Sequence, residues 1–198
     1  MLVLSGYYDN RYMTQRETSI IKVQLPDGLS RQIQGWGEQH LTTEMLYKGK
    51  PGDSDQYGLA GFDTHITVKW GIHTNDPTVA LAAMNQTGVA PFDITLGKIS
   101  IFDTSPDYDV VKIDVAGDGL AQLHEAIPKY LECEPDTYPT YQPHITIGYV
   151  SKGNSEQFVG LGDFEGNTVH VDRVMFTAGS GRDTMIPLSG ISMDSYGE

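Results

Sequence analysis

Two stretches of this chain repeat one pattern. Thr64-His65-Ile66-Thr67-Val68-Lys69-Trp70 and, much later, Pro143-His144-Ile145-Thr146-Ile147-Gly148-Tyr149 each set a histidine and a threonine two residues apart, interleaved with apolar β-branched residues. Such residues favour extended backbone. On a strand, successive side chains point to opposite faces, so residues i and i+2 share one. His65 and Thr67 therefore project together, as do His144 and Thr146, while Ile66, Val68, Ile145 and Ile147 are left to face a core. One such strand means little, because a strand histidine is ordinarily structural and threonine is common there. Two copies imply a shared chemical task, and a fold that carries both strands to one place.

Imidazole is the side chain whose ordinary pKa lies nearest neutrality, so two of them can divide the roles of acid and base. Cleavage of a ribose phosphodiester by its own 2′-hydroxyl needs that division. One histidine takes the hydroxyl proton, and the other protonates the leaving oxygen across the phosphorus. The phosphoryl oxygens need donors where charge gathers, and Thr67 and Thr146 are placed to supply them. Which histidine is acid and which is base stays open. The nucleophile lies within the substrate, so no metal and no cofactor is expected. The competing reading is a metal centre. His40, His65, His73, His124, His144 and His170 offer imidazoles, but there is no His-Glu-x-x-His, no paired cysteine and no tight ligand cluster.

The paired His-Ile-Thr-Val and His-Ile-Thr-Ile resemble the two H-x-T-x signatures of the 2H phosphoesterase superfamily, which includes the 2′-5′ RNA ligase-like proteins. The likeness runs from about Ile20 to Phe176. It implies an α+β fold, bilobal, with two pseudo-symmetric lobes whose antiparallel sheets line a central cleft, as one domain over residues 1–198. It also implies that His65, Thr67, His144 and Thr146 are catalytic. The run from His65 to His73 with Asn75-Asp76-Pro77, and the run from Pro143 to Val150, are similar to a narrower branch, the phage anti-CBASS nucleases. Members of that branch degrade cyclic oligonucleotide signals of bacterial antiphage defence. The expected substrate is then a cyclic di- or trinucleotide cleaved at 3′-5′ bonds, in the cytoplasm (the host's, if the chain is phage-encoded). Two alternatives stay open: processing of RNA ends with 2′-5′ linkages or 2′,3′-cyclic phosphates, and a nucleotide sponge without turnover.

Charge narrows the partner. With 13 basic and 26 acidic residues the formal charge is −13, which argues against long nucleic acid held by many lysine and arginine contacts. A short or cyclic nucleotide in a locally positive cleft remains suitable. Trp70, Tyr141 and Tyr149 flank the motifs and are candidates for stacking on a base, worth ~1–3 kcal/mol. Lys69 is read as facing away from Thr67, and His73 as a surface residue. Cys133 is the only cysteine, so no intrachain disulfide is expected and a reducing compartment suits the chain. No apolar run approaches the ~20 residues that span a bilayer, so no membrane partner is expected.

The remaining elements follow from periodicity and punctuation. Residues 1–18 read as a polar arm bearing Tyr7, Tyr8 and Tyr12. Residues 19–25 alternate as a strand, which Pro26-Asp27-Gly28 ends as a turn. Thr42 to Leu46 reads as a short helix, and Lys48 to Gly61 as a loop. Asn75-Asp76-Pro77 opens a helix that Gly88 stops. Ile94–Phe102 and Val110–Val115 read as strands, and Gly119–Leu131 as a helix that Pro128 shortens. Asn154–Val159 reads as a short helix, Thr168–Phe176 as one long strand, with at most one edge strand after it.

Overall fold

The computed structural model describes residues 18–50, 57–61, 64–103 and 105–190. All of the expected arm except Thr18 lies outside the described residues. Among the described residues, eight strands are β1 (Ser19–Gln24), β2 (His65–Ile72), β3 (Phe92–Phe102), β4 (Tyr108–Ala116), β5 (His144–Ser151), β6 (Thr168–Val171), β7 (Arg173–Thr177) and β8 (Asp183–Pro187). Three α-helices are α1 (Asp27–His40), α2 (Pro77–Thr87) and α3 (Asp118–Ala126). The strands form one antiparallel sheet in the order β6-β3-β4-β5-β2-β1-β7-β8, so the two motif strands are its central pair. The α+β class holds.

Alternation does the sorting. Ile21 and Val23 of β1, Ile66 and Val68 of β2, Ile113 of β4, and Ile145 and Ile147 of β5 are buried on the core face. Helices α1 and α3 pack there crosswise. Helix α1 follows β1 but lies on β5, and α3 follows β4 but lies on β2 as well as β3. Each helix thus ties one half of the sheet to the motif strand of the other half.

The sheet also curls. β6 is its first strand and β7 its seventh, yet only Asp172 separates them in sequence. Six strand spacings of ~4.8 Å would put a flat sheet's β6 and β7 roughly 29 Å apart. Two Cα steps cover at most about 7.6 Å, so the sheet has to bend back on itself. The run Thr168–Phe176, read as one strand, is therefore two strands on different parts of the curl.

Two other readings change. The helix after β1 is Asp27–His40, whereas Thr42 to Met45 is a turn and Leu46 bridges to Val150. Pro26-Asp27-Gly28 launches the helix rather than ending in a turn, because the Pro26 carbonyl accepts from the Ser30 amide at 2.9 Å. Leu29, Ile33 and Trp36 supply the apolar stripe at spacings of four and three. Helix α2 keeps its expected ends: Asp76 accepts from the Thr78 amide at 2.8 Å, and Gly88 is left-handed at φ 64°. Helix α3 stops at Ala126 and passes into a 3₁₀ turn, Ile127–Lys129, around Pro128. No described helix is long and apolar enough to cross a membrane.

Candidate active site

β2 and β5 meet at one antiparallel pair, Ile66 opposite Ile145. Both isoleucines are fully buried, so their neighbours point to the other face. One step along the same register in each direction sets His65 opposite Thr146 and Thr67 opposite His144. The two motifs are thus brought face to face, with the histidines on one diagonal and the threonines on the other. With strands ~4.8 Å apart and a rise of ~3.4 Å per residue, the histidine Cα atoms lie about 8 Å apart, which leaves room for one phosphoryl group between the rings.

The outer neighbours extend this grid. On β1, Lys22 pairs with Thr67 and Gln24 with His65. On β4, Lys112 pairs with Thr146 and Asp114 with His144. Directly opposed residues share a face, so all eight side chains line one surface. Lys22 and Lys112 are 5% and 4% exposed, so each motif threonine has a buried ammonium as its lateral neighbour. The sequence reading missed these four residues. The available signal was a second repeat, Ile20-Ile21-Lys22-Val23-Gln24 against Val110-Val111-Lys112-Ile113-Asp114, followed by Asp27-Gly28-Leu29 and Asp118-Gly119-Leu120. A one-residue difference in spacing between strand and helix conceals it.

His144 has a defined tautomer. Its Nδ1 lies 2.7 Å from the Gln142 carbonyl, which only accepts, so Nδ1 carries the hydrogen and Nε2 is the basic nitrogen in the neutral ring. Burial pushes the His144 pKa below the ordinary histidine value; the Gln142 bond and the Asp114 charge oppose this, and the charges of Lys112 and His65 add to it. Around it, Lys112 Nζ donates to Ser100 Oγ at 2.7 Å and to Asp114, and sits 4.3 Å over the Phe102 ring. Phe102 meets the His144 ring edge-on at 4.7 Å. Burial alone would raise the Asp114 carboxyl, but bonds from Lys112 and Ser100 outweigh it and hold the pKa below the usual range.

Beyond Ile66 and Ile145 the motif strands part, and each free edge is covered by another segment. Met45, Tyr47, Gly58 and Ala60 bond to β5, and Glu132 and Glu134 bond to β2 at His73 and Gly71. A glycine permits each approach. At Gly71 (φ 76°) a Cβ would lie 2.6 Å from Glu134 Cβ, and at Gly148 it would lie 3.0 Å from the Gly58 carbonyl oxygen. His73, read as a surface residue, instead fastens the second segment: its Nε2 lies 2.7 Å from Glu134 Oε1. Hydrogen bonds that it donates to the carboxylates of Glu134 and then Glu132 raise its pKa.

A cleft of about 460 Å³ lies between β2 and the segment Glu134–Gln142, with Thr67, Phe102 and His144 at one end. His65 and Thr146 are not among its lining residues. Trp70 lines it and is exposed. Tyr141 lines it too, but is held: its hydroxyl donates to the Thr67 carbonyl at 2.8 Å and its ring stacks on His124 at 4.1 Å. Tyr149 is not brought to the cleft. An extra residue in β5 opposite Val111 and Lys112 breaks the alternation, and Tyr149 packs with Tyr57 and Tyr108. Lys69 shares the cleft with Thr67 rather than facing away from it, as two-residue periodicity requires.

Residues 29–175 match the family model described as 2′-5′ RNA ligase superfamily. No curated protein matches the chain. Among solved structures, E. coli LigT complexed with phosphate is 20% identical, covering 86% of this chain and 93% of that chain at a TM-score of 0.55. The same protein is also solved with 3′-AMP, at 18% identity, 86% and 94% coverage, and a TM-score of 0.54. TT0787 of Thermus thermophilus is 14% identical, covering 87% and 95% at 0.52. Kluyveromyces marxianus Usb1 is 11% identical, covering 87% and 99% at 0.51. At these identities the likeness is one of fold.

Proposed function

This chain belongs to the 2′-5′ RNA ligase superfamily and is a phosphodiesterase of the 2H type, and we propose that it opens the 3′-5′ bonds of a cyclic di- or trinucleotide by attack of the substrate's own 2′-hydroxyl. His144 Nε2 takes the 2′-hydroxyl proton. The oxygen so freed attacks phosphorus, the bond from phosphorus to the 5′-oxygen breaks, and His65 gives that oxygen its proton. The product is a linear oligonucleotide with a 2′,3′-cyclic phosphate at one end and a 5′-hydroxyl at the other. Thr67 and Thr146 donate to the phosphoryl oxygens, where charge is greatest in the transition state. Exchange with water restores both rings.

The observation that carries this reading is the diagonal placement of His65 and His144 about the Ile66–Ile145 pair, with the His144 tautomer set by Gln142. A half-buried His144 whose pKa is held down is suited to be the base, and His65 is then the acid. The net charge of −13 and the compact cleft favour a small cyclic substrate over long RNA. The 3′-AMP complex of E. coli LigT favours a second reading, the end of a short RNA chain.

The test is chromatography after incubating the protein, with EDTA present, with 3′,3′- and 2′,3′-linked cyclic dinucleotides, a cyclic trinucleotide and a 2′-5′ oligoadenylate. Cleavage of a cyclic substrate, lost in His65→Ala and His144→Ala, is the expected result. Cleavage of the oligoadenylate alone selects RNA-end processing. Tight retention of an uncut nucleotide would make the protein a sponge and sink the proposal.

A further inference from the structure

The cleft changes character along its length. Its near end has Thr67, His144 and the ring of Phe102, with the buried Lys22 and Lys112 in the adjoining grid. Its far end carries the carboxylates of Glu134 and Asp136 and two exposed aromatic residues, Trp70 and Tyr138, at 56% and 61% exposure. The far-end carboxylates are each engaged by a basic side chain, Glu134 by His73 and Asp136 by Lys69. A nucleotide whose phosphate sits at the histidines directs its base past Thr67 toward Asp136.

The far end is built around that carboxylate. The Lys69 side chain, only 3% exposed, ends on Asp136 Oδ1 at 2.5 Å. His124 Nε2 lies 3.3 Å from Oδ2, and its Nδ1 donates to the Val68 carbonyl at 2.7 Å. Burying an ammonium is costly unless it is paired, so the Lys69 site is organised around Asp136. The Asp136 side chain is nonetheless 49% exposed and lines the cleft. Each carboxylate oxygen offers two lone pairs, so Lys69 and His124 leave acceptor capacity on both. Two adjacent acceptors match two adjacent N–H donors on a base edge. Guanine presents such a pair, adenine and cytosine one amino group, and uracil a lone ring N–H between two carbonyls.

We infer that the far end of the cleft is a nucleobase subsite, with Trp70 and Tyr138 as stacking surfaces and Asp136 as acceptor for an amino-bearing base edge, guanine first and uracil last. This subsite rests on the reading of His65 and His144 as the phosphate end.

The experiment is calorimetric titration of the wild-type chain with the 3′-monophosphates of guanosine, adenosine, cytidine and uridine. Guanosine is expected to bind at least tenfold more tightly than uridine, on the order of one good hydrogen-bonded pair. Asp136→Asn removes that preference and leaves uridine affinity within about twofold, whereas Tyr138→Ala weakens all four by about tenfold. A thermal melt checks folding. Should Asp136→Asn strand Lys69 and unfold, the double variant Lys69→Met, Asp136→Asn takes its place with the same expectation. Equal wild-type affinity for uridine and guanosine, or an equal loss for all four bases in Asp136→Asn, overturns the inference. EDTA-resistant cleavage without any base order sinks the subsite alone. Base order without cleavage of any substrate sinks the phosphodiesterase reading alone.

Discussion

The β1–β2 half of the site and the β4–β5 half are built to one plan, and the eight residues of the grid differ between them at one position. Each offers a Lys-x-polar strand beside a His-x-Thr strand, and the free edge of each motif strand is covered by a segment that leads toward the other motif strand. In the first half the polar residue is Gln24, whereas in the second it is Asp114. The carboxylate draws Lys112 into a cluster with Ser100 and Phe102, next to His144. Gln24 brings no charge to His65. Two histidines from one pattern thus have different lateral neighbours, although burial, and not the Asp114 carboxylate, is the main cause that holds the His144 pKa down.

The comparison breaks most visibly at the histidines. His65→Ala and His144→Ala should each lower kcat/KM by about 10²–10⁴-fold. Their residual pH profiles should differ, with His144→Ala losing the acidic limb and His65→Ala the alkaline one. Identical residual profiles would mean that the two halves are not divided as acid and base. Next in size, Thr67→Val and Thr146→Val should each cost roughly tenfold to a hundredfold in kcat, since each removes one donor to the phosphoryl group. Single-turnover rates at saturating substrate measure this directly.

A smaller and more pointed effect concerns proton affinity. Burial, with the Lys112 and His65 charges, holds the His144 pKa down, so the base stays neutral and the acidic limb of kcat/KM should lie below about 6.5. Lys112→Met removes a cation that disfavours imidazolium and should move that limb up. Asp114→Asn removes an anion that favours imidazolium and should move it down. NMR titration of the His144 ring, without substrate, reads both shifts, and shifts of the same sign would refute the electrostatic account. The smallest change is expected from Gln24→Asp, which gives the first half the carboxylate of the second. Gln24 is exposed, so folding should hold. KM should rise a few-fold by repulsion of the anionic substrate, with kcat nearly unchanged.

What was legible beforehand follows the same division. The motif strands could be read because β-branched residues, alternation and a repeated histidine all agree. Helix α2 could be read from its caps. Helix α1 could not, since Gly35 and Gly37 mask its stripe and Pro26-Asp27-Gly28 has the chemistry of a turn as much as of a helix start. Thr168–Phe176 reads as one strand because nothing in Val169 to Phe176 marks Asp172 as the point where the curl hands the chain to another part of the sheet. Lys22, Lys112, Gln24 and Asp114 take their meaning from cross-strand pairing, which is long-range information that local pattern does not carry.

The pairing of β1 with β7 also sets when the site can exist. Ile21 stands opposite Phe176, so a strand near the start of the described chain is flanked on one side by β2 and on the other by a strand from near its end. Pairings so distant in sequence make folding slow, because loop-closure entropy is lost before the contact forms. On a ribosome, β1 and its His-x-Thr neighbour emerge long before β7. The first half of the site thus stays open along one edge until β7 has emerged.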